Sequence, residues 1–121
     1  MSERGESEWD VRVDDGTVVV ELPRKLVLEA ASARRMHDAL VEAVSRPEVD
    51  RVLTLVDVEH PLGAGLHEVV RQAARVAPDH GVTDWDIVAE HRIKGTALAR
   101  AIPGLNTAVF EDERAARRRC T

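Results

Sequence analysis

Residues 51–66, RVLTLVDVEHPLGAGL, constrain the fold more than any other stretch, because a strand, a Pro/Gly loop and a helix start follow one another there. Val52, Leu53, Leu55, Val56 and Val58 are apolar, with β-branched Thr54 between them. Apolarity without strict alternation is the pattern of a central strand covered on both faces, so residues 51–58 are expected in the middle of a sheet with Leu55 in the core. Pro61, Gly63 and Gly65 break the strand, since proline fixes φ and glycine permits positive φ. From Leu66, apolar residues recur at Val69, Val70 and Ala73, the spacing of one helical face. In an α/β domain such a strand-to-helix loop lies at the carboxyl end of the sheet, where ligands and partners bind.

The flanking segments supply the other elements. Residues 1–8 are polar, charged and aperiodic, which predicts a frayed tail before a single domain spanning residues 9–121. Trp9 is expected to anchor the first strand. Residues 10–13 and 17–22 flank Asp14-Asp15-Gly16, and Asp-Gly between β-branched runs predicts a hairpin. Residues 24–29 suit an extended connection. The stripe Ala33, Met36, Leu40, Ala43 and Val44 predicts a helix over 32–44 with Ser32 as its cap. Residues 85–90 and 107–110 read as strands. Residues 96–102 read as a short helix capped by Thr96, and 112–119 as a last helix with acids first and arginines last. A hairpin leading into alternating strands and helices implies an α/β fold: a mixed, mostly parallel sheet with about four helices.

Composition narrows the class. At 121 residues the chain has the size of one domain. Its hydrophobic content of 44% argues against disorder. Trp9, Trp85 and Phe110 are the only aromatics, so there is little on which nucleic-acid bases could stack. A net charge of −5 opposes phosphate backbones, and no nucleic-acid partner is expected. A single Cys120 suits a reducing compartment, and no apolar run is long enough to span a membrane. The expectation is a soluble cytoplasmic protein.

The element order, over about residues 10–117, resembles the STAS domain (sulfate transporter and anti-sigma-factor antagonist). The resemblance rests on the opening hairpin, on VDRVLTLVDVE followed by PLGAGL, on Gly81 before the next strand, and on IPGL followed by AVFEDERAA. In that family a loop of the type Asp-Ser-Ser-Gly-Leu opens the second helix, and one serine is phosphorylated by a partner kinase in the anti-sigma branch. The matching residues here are Leu62, Gly63, Ala64, Gly65 and Leu66. Gly65 and Leu66 match, Ala64 stands at the phosphoacceptor position, and Gly63 replaces the other serine. No Ser, Thr or Tyr occurs between Val58 and His67. The resemblance therefore implies the fold and a partner surface, without the serine switch. A related branch, similar to SEC14-type lipid-transfer proteins, binds apolar ligands.

Several residues invite chemistry. His60 and His67, beside Asp57 and Glu59, suggest a divalent metal or a polar loop rim. His67-Glu68 is not a zinc-protease motif, because Arg71 stands where the second His would be. Gly63, Ala64 and Gly65 at a helix start form a candidate anion site, or a tight turn against a neighbour. No P-loop Lys-Ser/Thr follows them. Arg92 and Lys94, before Thr96, offer a second anion site or a solvated connection. Arg114, Arg117, Arg118 and Arg119 read as a solvated helix beside Glu111, Asp112 and Glu113, and His37 as a boundary histidine. No catalytic set, cofactor or metal site stands out.

The expectation is a non-catalytic regulatory module that binds a protein, or a second copy of itself as a homodimer, through Pro61, Leu62, Gly63, Ala64, Gly65 and Leu66. Leu62 is the basis, an apolar loop residue outside the inner stripe of the helix. The alternatives are a carrier of an apolar small molecule or lipid, with a pocket between helices and sheet, and an enzyme using a loop histidine.

Overall fold

Asp15 and Gly16 close the N-terminal hairpin with φ of +51° and +81°. Positive φ at both central residues matches the right-handed twist of the flanking strands, which is why Asp-Gly favours this turn. The computed structural model describes residues 8–59, 61–102 and 104–119. Strands β1 (Asp10–Asp14) and β2 (Thr17–Leu22) form the hairpin, and α1 (Ala30–Val44), β3 (Arg51–Val56) and α2 (Ala64–Val76) follow. A 3₁₀ turn at Ala77–His80 leads to β4 (Asp84–Ala89), α3 (Arg92–Ala99), β5 (Asn106–Phe110) and α4 (Glu113–Arg119). The expected tail falls mostly, and Cys120 wholly, outside the described residues.

The sheet order is β1-β2-β3-β4-β5, with β1 antiparallel to β2 and the other pairs parallel. This is the expected single α/β domain with a mixed sheet, four helices and β3 in the middle. Side chains alternate between faces along each strand. Val18, Val20 and Leu22, Val52 and Val56, and Trp85, Ile87 and Ala89 share one core with Met36, Leu40 and Val44 of α1 and Leu66, Val69 and Val70 of α2. Trp9 packs against this core, as expected of an anchor. Val19 and Leu53 are buried on the opposite face, which carries α4 through Ala116. Leu55 is only half-buried there, contrary to the expectation of a core residue. The seven-residue α4 lies against β4 and β5 and is too short to cover every row of that face.

Thr54 is the polar residue of this core. Trp85 Nε1–H donates to Thr54 Oγ1 at 2.9 Å, and both residues are 0% exposed. The bond lets an indole pass through an aliphatic core without leaving its N–H unsatisfied.

The starts of α1, α2 and α3 differ from sequence expectation by two residues or more. Ser32 is the third residue of α1, not its cap: Glu29 N–H donates to Ser32 Oγ at 2.9 Å, so the cap moves back to Glu29. Helix α2 begins at Ala64, with Gly63 as the cap. Helix α3 begins at Arg92 and is capped by His91, so Thr96 lies inside it. Gly95, a weak helix former, is tolerated in its interior. Its missing side chain lets α3 approach the sheet: a Cβ there would sit 2.6 Å from Val109 Cγ1 and 3.2 Å from Ala89 Cβ. Close packing outweighs the local propensity of one residue.

Two measurements follow. Thr54→Val should cost about 1–3 kcal/mol in urea unfolding, because the Trp85 N–H stays buried without an acceptor, while Thr54→Ser should retain most of the stability. Gly95→Ala should cost about 1–3 kcal/mol through overpacking, although alanine is the better helix former.

Candidate functional site

Parallel strands that start level end level. β2, β3 and β4 finish together at Leu22, Val56 and Ala89, so three connections emerge side by side at the carboxyl end of the sheet. β3 ends at Val56, two residues short of the expected strand over 51–58, but backbone bonds to the β2 connection continue: Asp57 N–H donates to Leu22 O at 3.0 Å and Glu59 N–H to Arg24 O at 2.9 Å. Arg24 Nε also pairs with Glu59 Oε2 at 3.0 Å. From the other side, Lys94 Nζ of α3 donates to Val58 O at 2.6 Å. The base of the loop is thus held between the β2 connection and α3. Burial alternates here, with Asp57 and Glu59 exposed and Val58 buried.

His60 lies outside the described residues. Pro61 is exposed, and Gly63, Ala64 and Gly65 are exposed around the first turn of α2. Leu66 is buried at 3% exposure. Leu62 was expected to stand clear of the inner stripe; it is half-buried and packs against the core. Opposite it, across an open space, stands the connection 26–28, where Leu26 is buried and Val27 is 67% exposed. Between this connection and residues 61–66 runs an apolar groove of about 310 Å³ with Val58 and Leu66 among its lining residues. The six residues singled out in the sequence therefore lie together, and all but Ala64 line the groove. Sequence reasoning missed the opposite wall. Its signal was the apolar run Leu26-Val27-Leu28 in a segment that forms no strand or helix.

The glycines are not there for local fit. Gly63 has φ −82°, and a Cβ on Gly63 or Gly65 would meet no atom within 4 Å. The tight turn against a neighbour, one of the two readings of this loop, is therefore not what the geometry requires. Space is open beside the first turn of α2, where a helix's leading N–H groups lack intrahelical partners.

The second expected anion site is rearranged. Lys94 is engaged by Val58 O, and Thr96 is inside α3. His67 is half-buried, and its backbone N–H donates to Gly63 O at 3.3 Å. Among the described residues no group of three or more His, Cys, Asp or Glu is placed to hold a metal ion. His37 is half-buried, with Nδ1 3.1 Å from Asp38 Oδ1. Arg117 pairs with Glu113 at 2.6 Å across one turn of α4. On the outer face of α2, Gln72 Nε2 and Arg71 Nη1 donate to Glu68 at 2.6 and 2.8 Å and hold its carboxyl below the ordinary range.

Beside the groove, and sharing Val58 with it, lies a wider cleft of about 550 Å³ over the strand ends, lined in part by Asp57, Glu59, Glu90 and Lys94. Among the described residues no helix is long and apolar enough to cross a membrane. Lys94→Met should release Val58 O and cost about 1 kcal/mol, with faster amide exchange at Asp57 and Glu59 than at Val52 as the readout.

No family model matches the sequence, and no curated protein matches it. The fold does have a solved counterpart, an anti-sigma-factor antagonist (STAS) domain protein from Planctomyces limnophilus. The two superpose with a TM-score of 0.61 over 93% of this chain and 98% of the other, at 12% identity. At that identity the likeness concerns the backbone, and it extends over the hairpin, the sheet and the helices alike. The chain thus has the STAS-type fold.

Proposed function

We propose that this chain is a non-catalytic regulatory module of STAS type that binds a protein partner through the loop 61–66, the connection 26–28 and the start of α2. The observation that carries this reading is the apolar groove open at the carboxyl end of the sheet, with Val27 67% exposed on its rim. An exposed apolar surface bounded by polar residues is the mark of an interaction site. The solved counterpart is named as an anti-sigma-factor antagonist, which is a protein-binding role.

Ala64 sets how such a module would be controlled. It is exposed in the first turn of α2 and has no hydroxyl, so no seryl phosphate forms there. A partner that would reject a phosphate through like charge or desolvation meets a permanently uncharged surface. Binding is then governed by the abundance of the partner, not by phosphorylation of this loop.

The carrier reading called for an apolar space between helices and sheet. Met36, Leu40, Val44, Val52, Trp85 and Ile87 fill that layer at 0% exposure. The groove lies instead at the strand ends, where one wall is mostly exposed.

The test is a pair of variants, Leu62→Asp and Ala64→Glu, each with circular dichroism unchanged. Partner crosslinking through a photoreactive residue at Pro61, and self-association by sedimentation, should fall about tenfold or more if a charge is desolvated in the interface. Unchanged association with weaker binding of an apolar dye would replace this reading with the carrier.

A further inference from the structure

The groove selects for an apolar side chain but not for one partner over another. Its described lining, from Leu26 to Leu28, Val58, Pro61 to Gly63, Gly65 and Leu66, contains no charged residue. The information that discriminates lies next to it. Val58 belongs both to the groove and to the cleft over the strand ends, and its chain neighbours Asp57 and Glu59 point away from the core. Five carboxylates line that cleft (Glu8, Glu21, Asp57, Glu59 and Glu90) against two permanent cations, Arg24 and Lys94.

Both cations are committed. Arg24 pairs with Glu59, and Lys94 donates to Val58 O. Glu21 is held by Arg12 at 2.7 Å, and that contact pushes the Arg12 pKa up. Asp57 and Glu90 make no ion pair among the described residues. They also border a second cleft, which Glu111, Asp112 and Glu113 line as well. Lys94 keeps its charge, but the carboxylates outnumber the cations, and the cleft beside the apolar groove is net negative. A surface with a net charge attracts the opposite charge over a Debye length and imposes a penalty on its own.

Resting on the protein-binding reading above, we propose that the partner segment carries an aliphatic anchor flanked by lysines or arginines, the anchor seated between Val27 and Leu62 and the cations over Asp57 and Glu90. The anchor supplies the affinity through burial of apolar surface. The flanking cations supply orientation and choice of partner, because an anionic flank would face Asp57 and Glu90 with like charge.

The test uses the full chain and fluorescent synthetic peptides that share a Leu-Ser-Ser-Leu anchor, with a run of lysines, serines or glutamates at either end. By anisotropy at low salt, the lysine peptide should bind about tenfold tighter than the glutamate peptide, and the gap should close in high salt. Asp57→Lys with Glu90→Lys should invert that ranking, and Leu62→Asp should weaken every peptide. Equal binding of the peptides, a ranking unmoved by the double substitution, or no binding at all overturns the inference. If partner crosslinking still depends on Leu62 in those cases, the protein-binding reading survives. If Leu62→Asp leaves crosslinking unchanged, both fall.

Discussion

The hydrogen bond from Trp85 to Thr54 joins the two strands on which the rest of the domain is laid. The pair sits in the middle of the sheet with no exposure, and it places the largest side chain of the core diagonally across β3 and β4. A donor buried in an aliphatic interior has few acceptors, so a slipped register would leave it unsatisfied. With β3 and β4 held in register, Val56 and Ala89 end at one level, and Leu22 of β2 joins them. The level strand ends are what allow the connections after β2, β3 and β4 to form a shared surface.

That surface depends in turn on how near α3 comes to the sheet. Gly95 lets the helix lie against Ala89 and Val109 where any larger residue would hold it off. Lys94, one residue earlier, then reaches Val58 O across the top of β3. A glycine that looks like a helix breaker thus positions an ammonium group, and the ammonium steadies the strand-to-loop transition. One packing decision thus also fixes where this positive charge stands beside the groove.

Charge is distributed unevenly over the molecule. On the outer face of α2, Glu68 is surrounded by donors from Arg71 and Gln72, and in the hairpin Arg12 sits between Asp10 and Glu21. These exposed contacts are worth little to stability. At the carboxyl end of the sheet Arg24 and Lys94 are drawn into holding the loop, while Asp57 and Glu90 are exposed. An apolar groove bordered by carboxylates distinguishes partners by charge as well as by shape.

Much of this was legible in the residues themselves. Asp15-Gly16 determines the hairpin, since positive φ is a property of those two positions. The apolar and β-branched run of residues 52–56 determines a central strand, and Pro61 marks the loop that separates it from α2. Ala64 by itself excludes a seryl phosphate at the head of the helix. These are local facts, carried by side-chain size, branching and backbone freedom over a few residues. What the sequence could not decide was set by contacts between distant segments: the packing of Leu62 against the core across the groove from 26–28, the half-exposure of Leu55 on the face where α4 lies against β4 and β5, the start of α3 four residues before Thr96, and the bond from Lys94 to Val58, 36 residues apart. Each requires knowing which surfaces meet. That is fixed by the packing of helices on the sheet, where close approach and burial outweigh the preference of any single residue.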